Sequence, residues 1–487
     1  MFLSSTVTVL RTFLLFISFA NVASSLRILQ LPPPIPRSSD SQCFATDAWP
    51  VGPGTTLVPQ APDAELTSIL SEIDPKRVEA IITKLVSFGT RHTLSNQTDP
   101  QRGIGAARDW IASQMRGFAA NARKGTNVTV TVPSYIQGPA ESIPFNVNIS
   151  NIITTIQGSE KSNRVYIITG HYDSRVTDIM NFTDDAPGAD DDGSGVAVAM
   201  ELARILATRA PPKATVILGA VAGEEQGLFG AAFLAKQMVE AGMDVQGMFT
   251  NDIVGASKAD DGVLDANSIR LFAQGIPSSE TASKTSQRIS IGGENDSPAR
   301  QLARFANEVA SNSVTDMKVR VIYRADRFLR GGDHEPFLDA GFPAARFTEP
   351  NEDFAHQHQD VRVDSTGKQF GDLAEFCDFN FITRVGRVNG AILWSLANAP
   401  ETPKNVTIDT SVLTNNSTFS WTLDSTGEVA GYEVVWRATD DPLWTNVIPV
   451  GLVDTTTVNL SKDNAVFGIR AVGKNGFRSP ATFPFPG

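Results

Sequence analysis

Hydrophobic positions follow three rhythms along the chain. From residue 63 to 122 they recur every three or four places, in PDAELTSILSEIDPKRVEAIITKLVSF and DPQRGIGAARDWIASQMRGFAANA, which is helical spacing, with Asp63 and Asp99 as helix-start signals. From residue 127 the rhythm becomes short β-branched runs closed by turn residues: VTVTVPSY, ISNIITTIQG and RVYIITGHYDS. The helical SGVAVAMELARILATR and the strand ATVILGAVAG follow, and the alternation continues through VQGMFTNDIVG and SPARQLARFANEVASN. Strands alternating with helices predict an α/β fold over residues 61–398, a mixed, mostly parallel sheet flanked by helices. Beyond residue 398 no helical period survives, and NSTFSWTLD, AGYEVVWRAT, TTTVNLS and AVFGIRAVGKNG predict a small all-β sandwich over residues 402–487.

That sandwich resembles a fibronectin type III domain in Trp421 on an early strand, in GYEVVWR and in the late FGIRAVGKNG. Phe467 stands where that family usually has a tyrosine, so the corner hydrogen bond would be lost. At the other end, residues 1–25 carry one arginine, an apolar stretch from Phe13 to Ala20 and small residues near Ser25, the pattern of a secretory signal peptide. The apolar stretch falls short of the roughly 20 residues that cross a bilayer, so no membrane span is expected. Residues 26–60, rich in Pro and Ser and without a period, read as an extended N-terminal segment and a candidate propeptide. Sequons at Asn96, Asn127, Asn148, Asn181, Asn405, Asn415, Asn416 and Asn459 agree with a secreted, extracellular glycoprotein.

A length of 487 residues allows two or three folded units, and a formal charge of -12 offers no basic face to nucleic acid. The two cysteines, Cys43 and Cys377, can pair in an oxidising compartment, although their spacing leaves the pairing open. Two cysteines cannot build a thiolate zinc site, so any metal must rest on histidines and carboxylates.

Such residues cluster where strands end. In GHYDS, His171 leaves the apolar strand VYIIT, and Asp173, two residues on, can hold the second ring nitrogen. In PGADDDGSG three carboxylates precede an apolar helix, and charges so close need water or a cation. Asp190, Asp192, Ser194, Gly195 and Glu201 also match positions of a calcium-binding EF-hand loop, but helical periodicity runs directly through that loop. In GEEQGLFG the adjacent Glu224 and Glu225 point in different directions, so one can bind a metal while the other takes a proton. Asp252 ends FTND, and FAHQHQD offers His356 and His358. One ligand-type residue at the end of each successive segment is how an α/β sheet gathers a site on one edge. His92 and His334 fit no ligand position and are expected to be structural.

GHYDS, APGADDDGSG, GEEQGLFG, the Asn251-Asp252 pair, DHEPFLDAGFPA and HQHQD occur in the order and spacing of the M28 zinc aminopeptidases, and the chain resembles that family from about Asp63 to Asn398. It looks like the compact secreted members related to bacterial leucyl aminopeptidases. The resemblance implies two zinc ions, one held by His171 and Asp252, the other by Glu225 and His356, with Asp191 bridging. It further implies Glu224 as general base, Asp173 orienting His171, a cis Asp191–Asp192 peptide and peptide substrates. His356 is preferred through an H-x-x-x-D pattern with Asp360, with His358 as the reserve ligand. A glutaminyl-cyclase-like enzyme of the same fold and a non-catalytic receptor-like or adhesive protein are the alternatives.

Overall fold

The computed structural model describes residues 49–487, so the expected signal peptide, most of the Pro/Ser-rich segment and Cys43 lie outside the described residues. Eight strands form the central sheet: β1 (Val128–Thr131), β2 (Ile152–Ile156), β3 (Arg164–His171), β4 (Thr215–Val221), β5 (Asp244–Asn251), β6 (Ser268–Ala273), β7 (Lys318–Ile322) and β8 (Ala344–Thr348). Their order is β7-β6-β8-β5-β3-β4-β2-β1. The run β8, β5, β3, β4 is parallel throughout, while β6–β8, β4–β2 and β2–β1 are antiparallel. The mixed α/β expectation therefore holds. Because the four central strands point the same way, everything just past their C-terminal ends lies along one edge.

Strands β3, β4 and β8 are buried at every residue, as strands covered on both faces must be. The helix Gly193–Ala207 is buried along nearly its whole length, which its continuous Val, Ala, Met, Leu and Ile content permits. Its approach to the sheet depends on missing side chains: a Cβ on Gly195 would lie 2.1 Å from the Asn251 carbonyl oxygen. The C-terminal helix Phe379–Asn398 fills the same layer, packed with Ala64–Ser71 and Pro75–Val86.

Asp63 caps the first helix, accepting from Leu66 N at 2.8 Å, as its position predicted. Asp99 does not cap: it accepts from Gln101 N in a turn, and the helix Ile104–Ala120 begins instead at Gly103, with Ser95 Oγ accepting from Ile104 N.

Beyond the helix Phe379–Asn398, two four-stranded sheets enclose Phe419, Trp421, Val434, Trp436, Phe467 and Ile469. One edge of this sandwich comes from the far end of the chain. Thr55–Thr56 pairs antiparallel with Asn446–Gly451, Leu57 N donates to Thr445 O, and Trp436 Nε1 donates to Pro53 O at 2.8 Å. The described part of the Pro/Ser-rich segment is thus an added edge strand. Polar contacts tie the sandwich to the α/β layers, above all buried Asp296, which pairs with Arg304 at 2.9 Å and with Arg437 of the sandwich at 2.7 Å. No helix among the described residues is long and apolar enough to cross a membrane. Six sequon asparagines, Asn96, Asn127, Asn405, Asn415, Asn416 and Asn459, are exposed; Asn148 and Asn181 are half-buried.

Candidate metal centre

Four connections converge on the C-terminal edge of the sheet. His171 is the last residue of β3, Glu224 and Glu225 follow β4, Asp252 follows β5, and His358 lies on the loop after β8. Asp191 arrives on the loop between β3 and the helix Gly193–Ala207.

The three consecutive aspartates have separate tasks. Asp190 Oδ1 accepts from Gly255 N, and Asp192 caps the helix through Gly195 N while also accepting from His171 N. Only Asp191 enters the site. The backbone N–H groups of Asp190 and Asp191 are both held by Asp372, and the Asp191–Asp192 peptide is cis. Glu201, the last position of the EF-hand pattern, pairs with Arg77 and Arg204, and so has no part in a calcium loop.

Each oxygen of Asp191 meets a different histidine: Oδ1 lies 3.0 Å from His171 Nε2 and Oδ2 lies 2.7 Å from His358 Nε2. Asp252 Oδ1 completes the first group at 3.8 Å from His171 Nε2, and Glu225 Oε1 the second at 3.1 Å from His358 Nε2. Two triads of metal-type donors, His171–Asp191–Asp252 and Asp191–Glu225–His358, thus share one carboxylate. His171 Nε2 and Glu225 Oε1 are buried without hydrogen-bond partners, a costly state that a cation would relieve. Burial alone would lower the His171 imidazole, but Asp173, Asp191 and Asp252 outweigh it and hold it well above the ordinary histidine value. The donor set, imidazole and carboxylate without thiolate, suits zinc.

The model of peptidase family M28 matches residues 151–376. A probable zinc metalloprotease of Pyrenophora tritici-repentis is 58% identical over 461 residues, covering 94% of this chain and 95% of its own. A probable zinc metalloprotease of Pyricularia oryzae is 55% identical over 476 residues, covering 96% and 94%. The chain belongs to peptidase family M28. Among solved structures, the LapA aminopeptidase of Legionella pneumophila superposes with a TM-score of 0.50 at 17% identity, covering 71% of this chain and 78% of that one, a likeness of fold.

In this M28 zinc metallopeptidase the second imidazole facing Asp191 is His358, not His356. The ring of His356 stacks on Phe376, with centroids 3.5 Å apart, and its Nδ1 faces Asp353 at 3.4 Å. The physical reason is local. His358 has φ +52°, a left-handed turn that aims its ring back at Asp191. Asp360 does not hold His356; it exchanges hydrogen bonds with Thr177, docking this loop beside the one that follows HYDS.

The role expected of Asp173 also changes. His171 Nδ1 is nearest the backbone carbonyl of Asp173, at 3.2 Å, with the carboxylate at 3.6 Å. That carboxylate accepts from Thr93 Oγ1 and from the backbone N–H groups of Glu224 and Glu225, so it sets the position of the glutamate turn as well as the imidazole. Glu224 belongs to neither triad. Its carboxyl is pushed well above the ordinary carboxylate range by burial, with acidic neighbours adding to the effect. His92 and His334 stand outside both triads: His92 contacts Ile179 O and Leu94 N, and His334 contacts Ala325 O.

Two arginines escaped the sequence reading. Arg175 bonds Glu225 Oε2 at 2.7 Å and reaches His358 Nδ1. Arg346, fully buried, bonds Asp252 Oδ1 at 2.7 Å. Arg175 directly follows HYDS, and Arg346 is the lone charge in the apolar run AARFT, which was the available signal.

Proposed function

We propose that this M28 peptidase is a two-zinc aminopeptidase that releases N-terminal residues from peptides. The observation that carries the reading is the division of Asp191, one oxygen toward each histidine, which is how a carboxylate bridges two ions. His171, Asp191 and Asp252 would hold one ion and Asp191, Glu225 and His358 the other. Zinc bound there supplies Lewis acidity, which polarises a scissile carbonyl and acidifies water.

The chain's own residues do the rest. Glu224 is the general base: it takes the proton from the attacking water and returns it to the leaving amine. A carboxyl raised by burial is suited to both halves of that transfer. Asp173 holds the backbone from which Glu224 and Glu225 diverge, so the base and the ligand keep a fixed separation. We further assign the protein to the extracellular space, on its N-terminal pattern and its exposed sequons, and its C-terminal sandwich to the fibronectin type III class, on its strand pattern.

The test is a panel of aminoacyl chromogenic substrates, with and without chelator, alongside the Glu224→Gln protein. Chelator should abolish turnover, and Glu224→Gln should lower it about 10²–10⁴-fold while the metal content is unchanged. Near-normal turnover in Glu224→Gln would remove the assignment of the base. Cyclisation of N-terminal glutamine with one metal per chain would replace the aminopeptidase reading by the glutaminyl-cyclase one.

A further inference from the structure

Residues 187–191, which lead into and include Asp191, belong to no helix or strand, yet all of them except Asp190 are buried. Buried peptide groups outside a helix or a ladder must find other partners. Here they find two side chains of opposite charge. Arg91 takes the carbonyls at the start of the segment: Nη1 donates to Pro187 O, and Nη2 donates to Gly188 O at 2.7 Å. Asp372 takes the amides at its end. Oδ1 accepts from Asp190 N at 2.8 Å and Oδ2 from Asp191 N at 2.9 Å, while the backbone carbonyl of Asp372 accepts from Ala189 N at 3.3 Å.

The same guanidinium reaches the strand end that carries His171. Its Nε donates to Tyr172 O at 2.7 Å, between His171 and Asp173. Ser174 adds to the tie, since its Oγ accepts from Arg91 N at 3.1 Å and donates to Ala186 O at 2.7 Å. Arg91 is fully buried, and the fit around it leaves no slack. Gly188 has φ +52°, and a Cβ on it would lie 2.7 Å from Arg91 Nη2 and 2.6 Å from Ser174 Cβ. Charge-assisted hydrogen bonds are roughly twice as strong as neutral ones, and the rigid fork of a guanidinium fixes the geometry of its acceptors. One side chain therefore sets the spacing between the backbones of His171 and Asp191, and another sets the direction in which Asp191 leaves its backbone.

We propose that Arg91 and Asp372 form a clasp that positions the bridging carboxylate, holding Asp191 with one oxygen toward His171 and the other toward His358 whether or not metal is bound. This rests on the two-metal reading above. Neither residue belongs to a triad. Both are positioning residues that act through the backbone of residues 187–191, and outer contacts of metal ligands commonly alter affinity about 10–100-fold.

Two measurements on the full chain test the clasp. In the wild-type chain stripped of metal, hydrogen exchange should find the amides of Ala189, Asp190 and Asp191 as slow as those of the buried strand β3, although they lie in a loop. The second measurement uses variants. Arg91→Lys keeps the charge but loses the three-way fork, and Asp372→Asn sets an amide NH₂ against a backbone N–H. Each should weaken Zn²⁺ binding about 10–100-fold in competition with a chromophoric chelator, and each should change the visible absorption of the Co²⁺ form. Asp296→Ala, at the junction with the sandwich, controls for lost stability and should keep the wild-type affinity and spectrum. Thermal melts establish that each variant is folded; should neither clasp variant fold, the exchange result decides alone. Wild-type affinity and spectrum in the folded clasp variants, equal loss in the control, or exchange at the rate of an open loop would each overturn the proposal and leave the two-metal reading standing. A wild-type chain that binds no metal would overturn that reading itself, and the exchange result would still decide the clasp.

Discussion

Neighbouring residues of one type do different work in this protein because the backbone aims them differently. Asp190 ties down the Gly255 backbone, Asp192 caps a helix, and Asp191 alone faces both histidines. Glu224 and Glu225 split in the same way, one in a triad and one outside it. His356 and His358 extend the pattern, with one ring on Phe376 and the other on Asp191. His358→Ala should therefore lose about half of the bound metal and reduce turnover by at least about 100-fold, whereas His356→Ala should keep both within a fewfold of wild type. Metal content by elemental analysis beside turnover checks this, and equal loss in the two variants would refute it. Four of the five triad residues were legible in the sequence, because each ends an apolar strand or opens a turn. The fifth was not, since two histidines in HQHQD differ only by a positive φ that no spacing rule encodes. The arginines were hidden for another reason: a cation recruited by buried carboxylates announces itself only once those carboxylates are placed in space.

The strands that the sequence made plain are the long apolar ones, β3, β4 and β5. Strands β6, β7 and β8 were passed over, because SIRLFA, KVRVI and AARFT each carry a cation that breaks the apolar run. Those strands support the loops 324–332 and 350–358, which are linked through Glu352: it contacts Arg330 at 2.7 Å, Arg270 at 3.1 Å and Arg327 at 3.5 Å. Burial alone would raise the Glu352 carboxyl, but the three arginines outweigh it and hold it below its ordinary value. A carboxyl depressed in the folded state contributes in full above the unfolded value, near pH 4.3, and the contribution is lost as pH falls through the lower folded value. Glu352→Gln should cost about 2 kcal/mol at pH 7, less than a fully enclosed pair because Arg270 and Arg330 retain solvent contact. The gap in melting temperature between this variant and wild type should close as the pH is taken from 7 to 3, and a gap that stays constant would remove Glu352 as its source.

At the scale of the whole molecule, the α/β layers and the sandwich were both legible from rhythm, but their junction was not. The contacts that make it come from residues with ordinary surface composition: Arg437 and Arg304 on Asp296, Arg470 on Glu308, and Trp444 Nε1 on Gln301. Asp296→Ala would leave two buried guanidiniums facing each other, and should destabilise the full chain by about 3–5 kcal/mol. Denaturant unfolding measures it, and a change below about 1 kcal/mol would mean that the junction rests on its other contacts.

The pairing of Thr55–Thr56 with the sandwich also fixes how far the amino terminus can be trimmed. Removing residues up to about Pro50 leaves every described strand intact. Cutting past Pro53 strips the acceptor from Trp436 Nε1 and unpairs the edge at Val447. A processing protease working inward from the N-terminus should therefore stall there, and sequencing of the mature or protease-treated protein should find its first residue upstream of Pro53. A mature chain that begins at or beyond residue 58 would show that the sandwich tolerates an open edge.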